Sequence, residues 1–210
     1  MSPFRLIAGL LAVSAFAADG SLDTLLKKVE SRYNHAKTLQ VIFNEQYTPP
    51  ASAPRTESGV LMLRKPGLMR WDYTRPKGKQ FVGDGKYLWL YTPDQNRAEK
   101  MAMKESDDMR APLAFLLGKL NFNKEFRNLK ARPDSGGTRI TAEPKTDNLP
   151  YSHVEFVVTP DFRIQEVKVT GFDQSILEFT FSQEQLDPAF NSNLFEFRLP
   201  PGATLEDAGQ

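Results

Sequence analysis

Between residues 39 and 199 apolar side chains recur at every second position, in short runs that turn residues interrupt. A period of two places alternate side chains on one face of an extended strand. The pattern therefore commits most of the chain to β-structure. Leu39, Val41, Phe43 and Tyr47 alternate with Gln40, Asn44 and Gln46. Met69, Trp71 and Tyr73 share a face, as do Tyr87, Trp89 and Tyr91, then Val154, Phe156 and Val158, then Leu177, Phe179 and Phe181. Lys65-Pro66-Gly67, Asp84-Gly85, Ser135-Gly136-Gly137 and Pro160-Asp161 supply the turns. The count is about eleven strands, the last over 194–199 before Pro200-Pro201-Gly202. Short strands with short connections predict an antiparallel meander, hence a sandwich or barrel.

Two segments break the rhythm. Leu22, Leu25, Leu26, Val29 and Tyr33 recur at helical spacing, with Lys27, Lys28, Glu30 and Arg32 opposite. Ser21 suits the N-cap, and Asp23 suits the positive end of the helix dipole. Around 105–118, Ser106-Asp107-Asp108, Pro112 and Gly118 frame the apolar Leu113, Phe115, Leu116 and Leu117. Phe122 and Phe126 continue the helical spacing. The expected architecture is one strongly curved antiparallel sheet with helices laid on it.

Residues 1–17, MSPFRLIAGLLAVSAFA, read as a secretory signal peptide. Arg5 is the positive region, 6–15 the apolar stretch, and Ala15-Phe16-Ala17 a small-x-small site, so cleavage is expected after Ala17. The stretch is shorter than the ~20 residues that span a bilayer. A cleaved 1–17 and a single domain over 18–210 follow. No stable membrane insertion is expected.

Composition removes several classes of function. There is no Cys, so disulfides, thiolate metal sites and thiol catalysis are excluded. Two histidines, His35 and His153, leave little for a metal site or a triad, and no metal or cofactor is expected. Lys plus Arg number 27 against 26 acidic residues, which leaves no basic footprint for nucleic acid. No phosphate-binding, zinc-protease or nucleophile-elbow motif is present. An enzyme is not expected; a hydrolase built on scattered carboxylates is the residual catalytic reading. Strands apolar at successive positions, such as 60–63 and 87–91, have two readings. Both sheet faces are covered by core and helices, or a large apolar face holds cargo. Composition leaves both open.

The run 59–73, GVLMLRKPGLMRWDY, followed by Pro76 and by 84–91, DGKYLWLY, resembles the LolA family of periplasmic carriers of outer-membrane lipoproteins. Phe43 stands in the family's F-x-Q position, with Glu45 replacing Gln. Ala111-Pro112-Leu113 resembles the family's mid-chain helix opening, and 195–202, FEFRLPPG, its closing segment. The resemblance implies an incomplete antiparallel β-barrel with helices forming a lid over an apolar cavity. It implies a periplasmic monomer that accepts acylated lipoproteins from an inner-membrane ABC transporter and passes them to an outer-membrane receptor. That receptor is lipid-anchored through an N-terminal Cys, which this chain lacks. Shared strand faces and the resemblance together nominate Phe43, Leu61, Leu63, Met69, Trp71, Trp89, Tyr91, Leu113 and Phe115 for the acyl-chain cavity. The family usually has Arg before Pro66 as a lid latch. Here Lys65 stands there, a point charge without the planar fork of a guanidinium. A lipid-sensing or lipid-binding regulator on a similar half-barrel is the alternative reading.

Overall fold

The computed structural model describes residues 18–103, 120–146 and 149–207. The expected cleavage site and the cavity candidates Leu113 and Phe115 lie outside the described residues. Helix α1 spans Ala18–His35. Strands β1 (Thr38–Thr48), β2 (Arg55–Arg64), β3 (Leu68–Arg75), β4 (Gln80–Asp84), β5 (Tyr87–Thr92) and β6 (Arg97–Ala102) follow as a meander. A four-residue helix, α2 (Phe122–Glu125), leads into a second meander: β7 (Phe126–Asp134), β8 (Gly137–Pro144), β9 (Tyr151–Val158), β10 (Ile164–Gly171) and β11 (Ile176–Leu186). β12 (Thr204–Asp207) closes the chain.

All twelve strands lie in one sheet, ordered β12-β6-β5-β4-β3-β2-β1-β11-β10-β9-β8-β7. The two meanders join along β1 and β11, where Phe43 faces Phe181 and Tyr47 faces Leu177. Neighbours pair antiparallel except β12, which runs parallel to β6. The edge strands β7 and β12 do not meet. The sheet is open and not strongly curled, which corrects the strongly curved incomplete barrel expected from the sequence. The physical reason is that one broad face is covered by a helix instead of being wrapped by the sheet itself. No helix among the described residues is long and apolar enough to cross a membrane.

That face is the core. Leu26, Val29 and Tyr33 of α1 are buried on it, together with Leu39, Leu61, Trp71, Phe81, Phe156, Val167 and Phe179. Phe122, Phe126 and Phe156 form an aromatic cluster at its β7–β9 end, with centroids 5.4–6.2 Å apart. α1 covers the helix expected over 21–33 but begins at Ala18, so Ser21 lies within its first turns and is not the N-cap. The second helix is shorter than Phe122 and Phe126 suggest: Phe126 already starts β7, and Asn121 caps α2 by accepting from Lys124 N. The expected last strand over 194–199 is irregular chain, and the closing strand lies beyond Pro200-Pro201-Gly202.

Candidate functional site

Strand register sorts the apolar candidates by face. Val41 faces Leu61, Leu61 faces Trp71, Trp71 faces Phe81, and Phe81 faces Leu90. One row over, Leu39, Leu63, Met69, Gly83 and Leu88 stand opposite one another. On the other side Phe43 faces Gly59, and Gly59 faces Tyr73. Directly paired antiparallel residues project to the same side. Phe43, Leu61, Leu63, Met69 and Trp71 therefore share the core face, where Tyr33 of α1 stands against Leu39, Val41, Leu61 and Leu63. Phe43 packs edge-on against Trp71 at 4.8 Å and against Tyr73 at 5.1 Å, and Trp71 lies 5.5 Å from Phe179.

The Phe43–Tyr73 row needs Gly59. A Cβ there would stand 2.2 Å from the Asp72 carbonyl oxygen. The strand pair carries an irregularity at this point, with Ser58 facing Arg75 and Gly59 facing Tyr73. Beyond this row the face turns polar. Glu45 is buried, 3.4 Å from the Tyr73 hydroxyl, which donates to it. The residue that departs from the family pattern thus sits at the polar end of the apolar layer.

α1 closes the layer through its C-terminal turns. The Tyr33 hydroxyl donates to Glu184 at 2.6 Å and accepts from Ile164 N at 2.8 Å. Arg32 also donates to Glu184. Asn34 exchanges two hydrogen bonds with the Leu120 backbone, at 2.8 and 2.7 Å. Glu30 accepts from Phe122 N at 2.8 Å. Lys65 Nζ donates to the Tyr33 carbonyl at 2.6 Å. That carbonyl is one of the last in α1, where intrahelical donors run out and a cation is favoured. Burial pulls the Lys65 ammonium below its ordinary value, opposed in part by Asp187. Burial, reinforced by the Glu184 carboxylate, holds the Tyr33 phenol far above its ordinary value. Between α1 and the sheet, the voids near Lys65 and near Phe181 are only about 10 Å³ each. Around Tyr33 the apolar face is closed rather than hollow, whereas toward the N-terminal end of α1 a groove of about 580 Å³ opens between Leu22, Leu26, Phe126 and Leu129.

Trp89 and Tyr91 lie elsewhere. Trp89 faces Val82 and Lys100, and Tyr91 faces Gln80 and Ala98, so both project from the opposite face. This corrects their assignment to the cavity. Trp89 stacks on Phe197 at 5.2 Å with planes 13° apart. Its Nε1 donates to Asp84 Oδ2 at 2.9 Å, while Asp84 Oδ1 accepts from Lys86 N and Tyr87 N. Burial pushes the Asp84 carboxyl up, but these three donors outweigh it and hold it below the usual range. The DGKYLWLY hairpin is thus a mount for the C-terminal segment. Arg64 donates to the Phe190 and Asn191 carbonyls and Arg70 to the Leu194 carbonyl. Phe195 is buried there, beneath the Arg64 guanidinium at 5.0 Å.

A larger concavity of about 810 Å³ crosses the sheet near Asn44, Thr56, Arg75, Arg139, Glu166 and Lys168. Arg139 is held there by Asp134 at 2.8 Å, Glu166 at 3.2 Å and Glu155 at 3.5 Å. Charges of both signs, already paired, make it a poor solvent for hydrocarbon. Among the described residues no group of His, Asp and Glu could hold a metal ion. The apolar layer under α1 is the candidate site. Sequence reasoning nominated its sheet residues but missed Tyr33, Asn34 and Glu184, which hold the helix down. Helical spacing marked Tyr33 only as apolar, and Glu184 has no signal in a strand end rich in Gln and Glu.

Comparison with known proteins places this architecture. The chain is 25% identical over 204 residues to an outer-membrane lipoprotein carrier protein of Proteus mirabilis, covering 97% of this chain and 98% of that one. It is 27% identical over 202 residues to the carrier of Methylobacillus flagellatus, covering 95% of each. Among solved structures, an uncharacterized conserved protein of Thermus thermophilus shares the fold, with a TM-score of 0.54 at 12% identity, covering 89% of this chain and 99% of that one. The family model described as outer membrane lipoprotein carrier protein LolA matches residues 34–198, from the end of α1 through the segment that packs on Trp89. The chain belongs to the LolA family of outer-membrane lipoprotein carrier proteins.

Proposed function

We propose that this chain carries acylated lipoproteins toward the outer membrane by burying their acyl chains against the sheet face that α1 covers. It works in the periplasm after residues 1–17 are removed, takes cargo from an inner-membrane ABC transporter, and yields it to an outer-membrane receptor. The observation that supports the reading is the apolar layer itself: Leu61 and Leu63 lie against Tyr33 of a helix anchored by a few polar contacts near its C-terminus, and the layer continues through Trp71. Each buried methylene is worth about 0.8 kcal/mol, so one acyl chain of ordinary length carries on the order of 10 kcal/mol of exposure. Leu26, Val29 and Tyr33 each gain roughly 1.5–3 kcal/mol from burial. One acyl chain is thus comparable with the apolar burial that these three side chains would give up, and the polar anchors of the C-terminal turns add to the cost of lifting α1. A seal of this kind can be broken and remade, as a carrier that must also let go requires. Transport, not catalysis, is the work of the family, and loading draws its energy from the transporter.

The test has two arms. An apolar fluorophore should bind the purified chain 18–210 and be displaced by a triacylated peptide. Depletion in the source organism should strand lipoproteins at the inner membrane. Normal sorting after depletion would overturn the carrier reading.

A further inference from the structure

Trp71 is 1% exposed, and its indole Nε1 is a buried donor that finds no acceptor among the described residues. The chain's other tryptophan is the contrast, since Trp89 Nε1 donates to Asp84. Buried indole N–H groups ordinarily find a partner, and one left without it is a standing cost that an apolar ring would avoid. The position of Trp71 gives that cost a use. Along β3, Met69, Trp71 and Tyr73 point to the same face, and along β1 so do Phe43 and Glu45. Trp71 is therefore flanked by aliphatic residues toward Leu63 and Met69. Toward Tyr73 and Glu45 it meets hydroxyl and carboxylate. An acyl chain lying along this face changes character in the same way: hydrocarbon for most of its length, then a carbonyl at its linkage.

We infer that Trp71 Nε1–H is a donor held in reserve for the carbonyl oxygen of the cargo's acyl linkage, and that it fixes how deeply the chain inserts beneath α1. The inference rests on the acyl-binding reading above. Trp71 is thus a positioning residue for the ligand, favouring an acyl ester or amide over a plain alkyl chain. The donor is deep enough that water does not compete for it. The hydrogen bond forms only when a carbonyl reaches the Phe43–Trp71 pair.

The experiment uses the chain 18–210 labelled with ¹⁵N on its indoles and two probes of equal length, a long-chain fatty acid methyl ester and the alkane of matching length. Both should displace an apolar fluorophore. The ester should bind about tenfold more tightly, equivalent to ~1.4 kcal/mol. It should move the Trp71 indole proton downfield and leave that of Trp89 in place, whereas the alkane, which has no acceptor, should leave the downfield shift absent. In Trp71→Phe the preference for ester over alkane should vanish. If both probes bind and shift Trp71 equally, or if Trp71→Phe keeps the preference, the inference is overturned while acyl binding stands. If neither probe displaces the fluorophore, the acyl-binding reading falls and this inference with it. The spectroscopic arm needs no variant, so a poorly folding Trp71→Phe leaves the test intact.

Discussion

Replacing Tyr33 by Phe removes one oxygen and keeps the ring that packs α1 on the sheet. The hydroxyl makes two bonds at once, donating to Glu184 at 2.6 Å and accepting from Ile164 N at 2.8 Å. Glu184 retains Arg32 after the change, so its loss is only partial. Ile164 N–H is left buried without its acceptor. A hydrogen bond to a charged group contributes about 1.5–3 kcal/mol and an orphaned buried donor costs about 1–3. With Arg32 compensating in part, we expect a net loss of about 2–4 kcal/mol. Urea unfolding should show it as a lower midpoint at unchanged slope. Tyr91→Phe is the control, because the Tyr91 hydroxyl bonds the exposed Asn96 and water can replace it. The pH dependence gives a second readout. The native fold keeps the Tyr33 phenol protonated far above its ordinary value, while the unfolded chain releases that proton near pH 10. Above about pH 10 the unfolded state thus binds fewer protons, and stability falls as pH rises; below it both states are protonated and the contribution is complete. Tyr151, pushed up to about 12 by burial, adds a decline of the same sign. Tyr33→Phe should remove the larger part of the alkaline decline and leave the Tyr151 part. A midpoint shift below about 0.5 kcal/mol, the range of ordinary surface changes, would refute the claim that this hydroxyl fastens α1.

Lys65→Arg should add donors at the α1 C-terminus and slow cargo release, while Lys65→Leu, which drops the bond to the Tyr33 carbonyl, should retain cargo and transfer it poorly; a two-step loading and transfer assay at equal loading reads both. Gly59→Ala should cost at least the ~1–3 kcal/mol of an overpacked site, because its Cβ meets backbone at 2.2 Å; thermal unfolding unchanged from the parent would contradict the packing described. Asp84→Ala strands three donors and should loosen the mount of the C-terminal segment, seen as faster amide exchange around Phe195 and Phe197 with the α1 region unaffected. Because the Asp84 carboxyl is held below its usual range, its contribution is present above the unfolded value near 4 and is lost as pH falls through the lower native one.

How much the sequence discloses depends on which question is put to it. Alternation shows that Tyr87, Trp89 and Tyr91 share a face, but which face is settled by the register of β4 against β5, where Val82 meets Trp89. Nothing within the hairpin specifies that choice, since Leu88 and Leu90 are as apolar as their neighbours. Residues 194–199 read as a strand because Phe195, Phe197 and Leu199 alternate. The segment is fastened instead by side chains, with the carbonyls of Phe190 and Asn191 accepting from Arg64 and that of Leu194 from Arg70. β12 escapes notice because four exposed residues carry no apolar pattern. Phe43, Met69 and Trp71 are legible as core-face residues because each lies in an alternating run, whereas Leu61 and Leu63 lie in the unbroken apolar run 60–63, where Met62 is buried as well and only the register assigns the face. The bonds that tie down α1 are not legible. Tyr33 meets Glu184 and Ile164 only after the two meanders have joined, and no local pattern records that meeting.

The join between the meanders bears on when such a chain can close. β1 lies at the middle of the sheet and takes β2 on one side from close by and β11 on the other from near the far end of the chain, with Leu39 opposite Leu186. Contacts between such distant residues are slow to form, because a long loop must close before they repay it. Until β11 is available, β1 remains an unpaired edge and the core face lacks half its width. On the export proposed above, a chain threaded across a membrane from its N-terminus would not lock shut while its last strands are still on the near side. The seam would then serve as a delay, keeping the polypeptide threadable until nearly all of it has crossed.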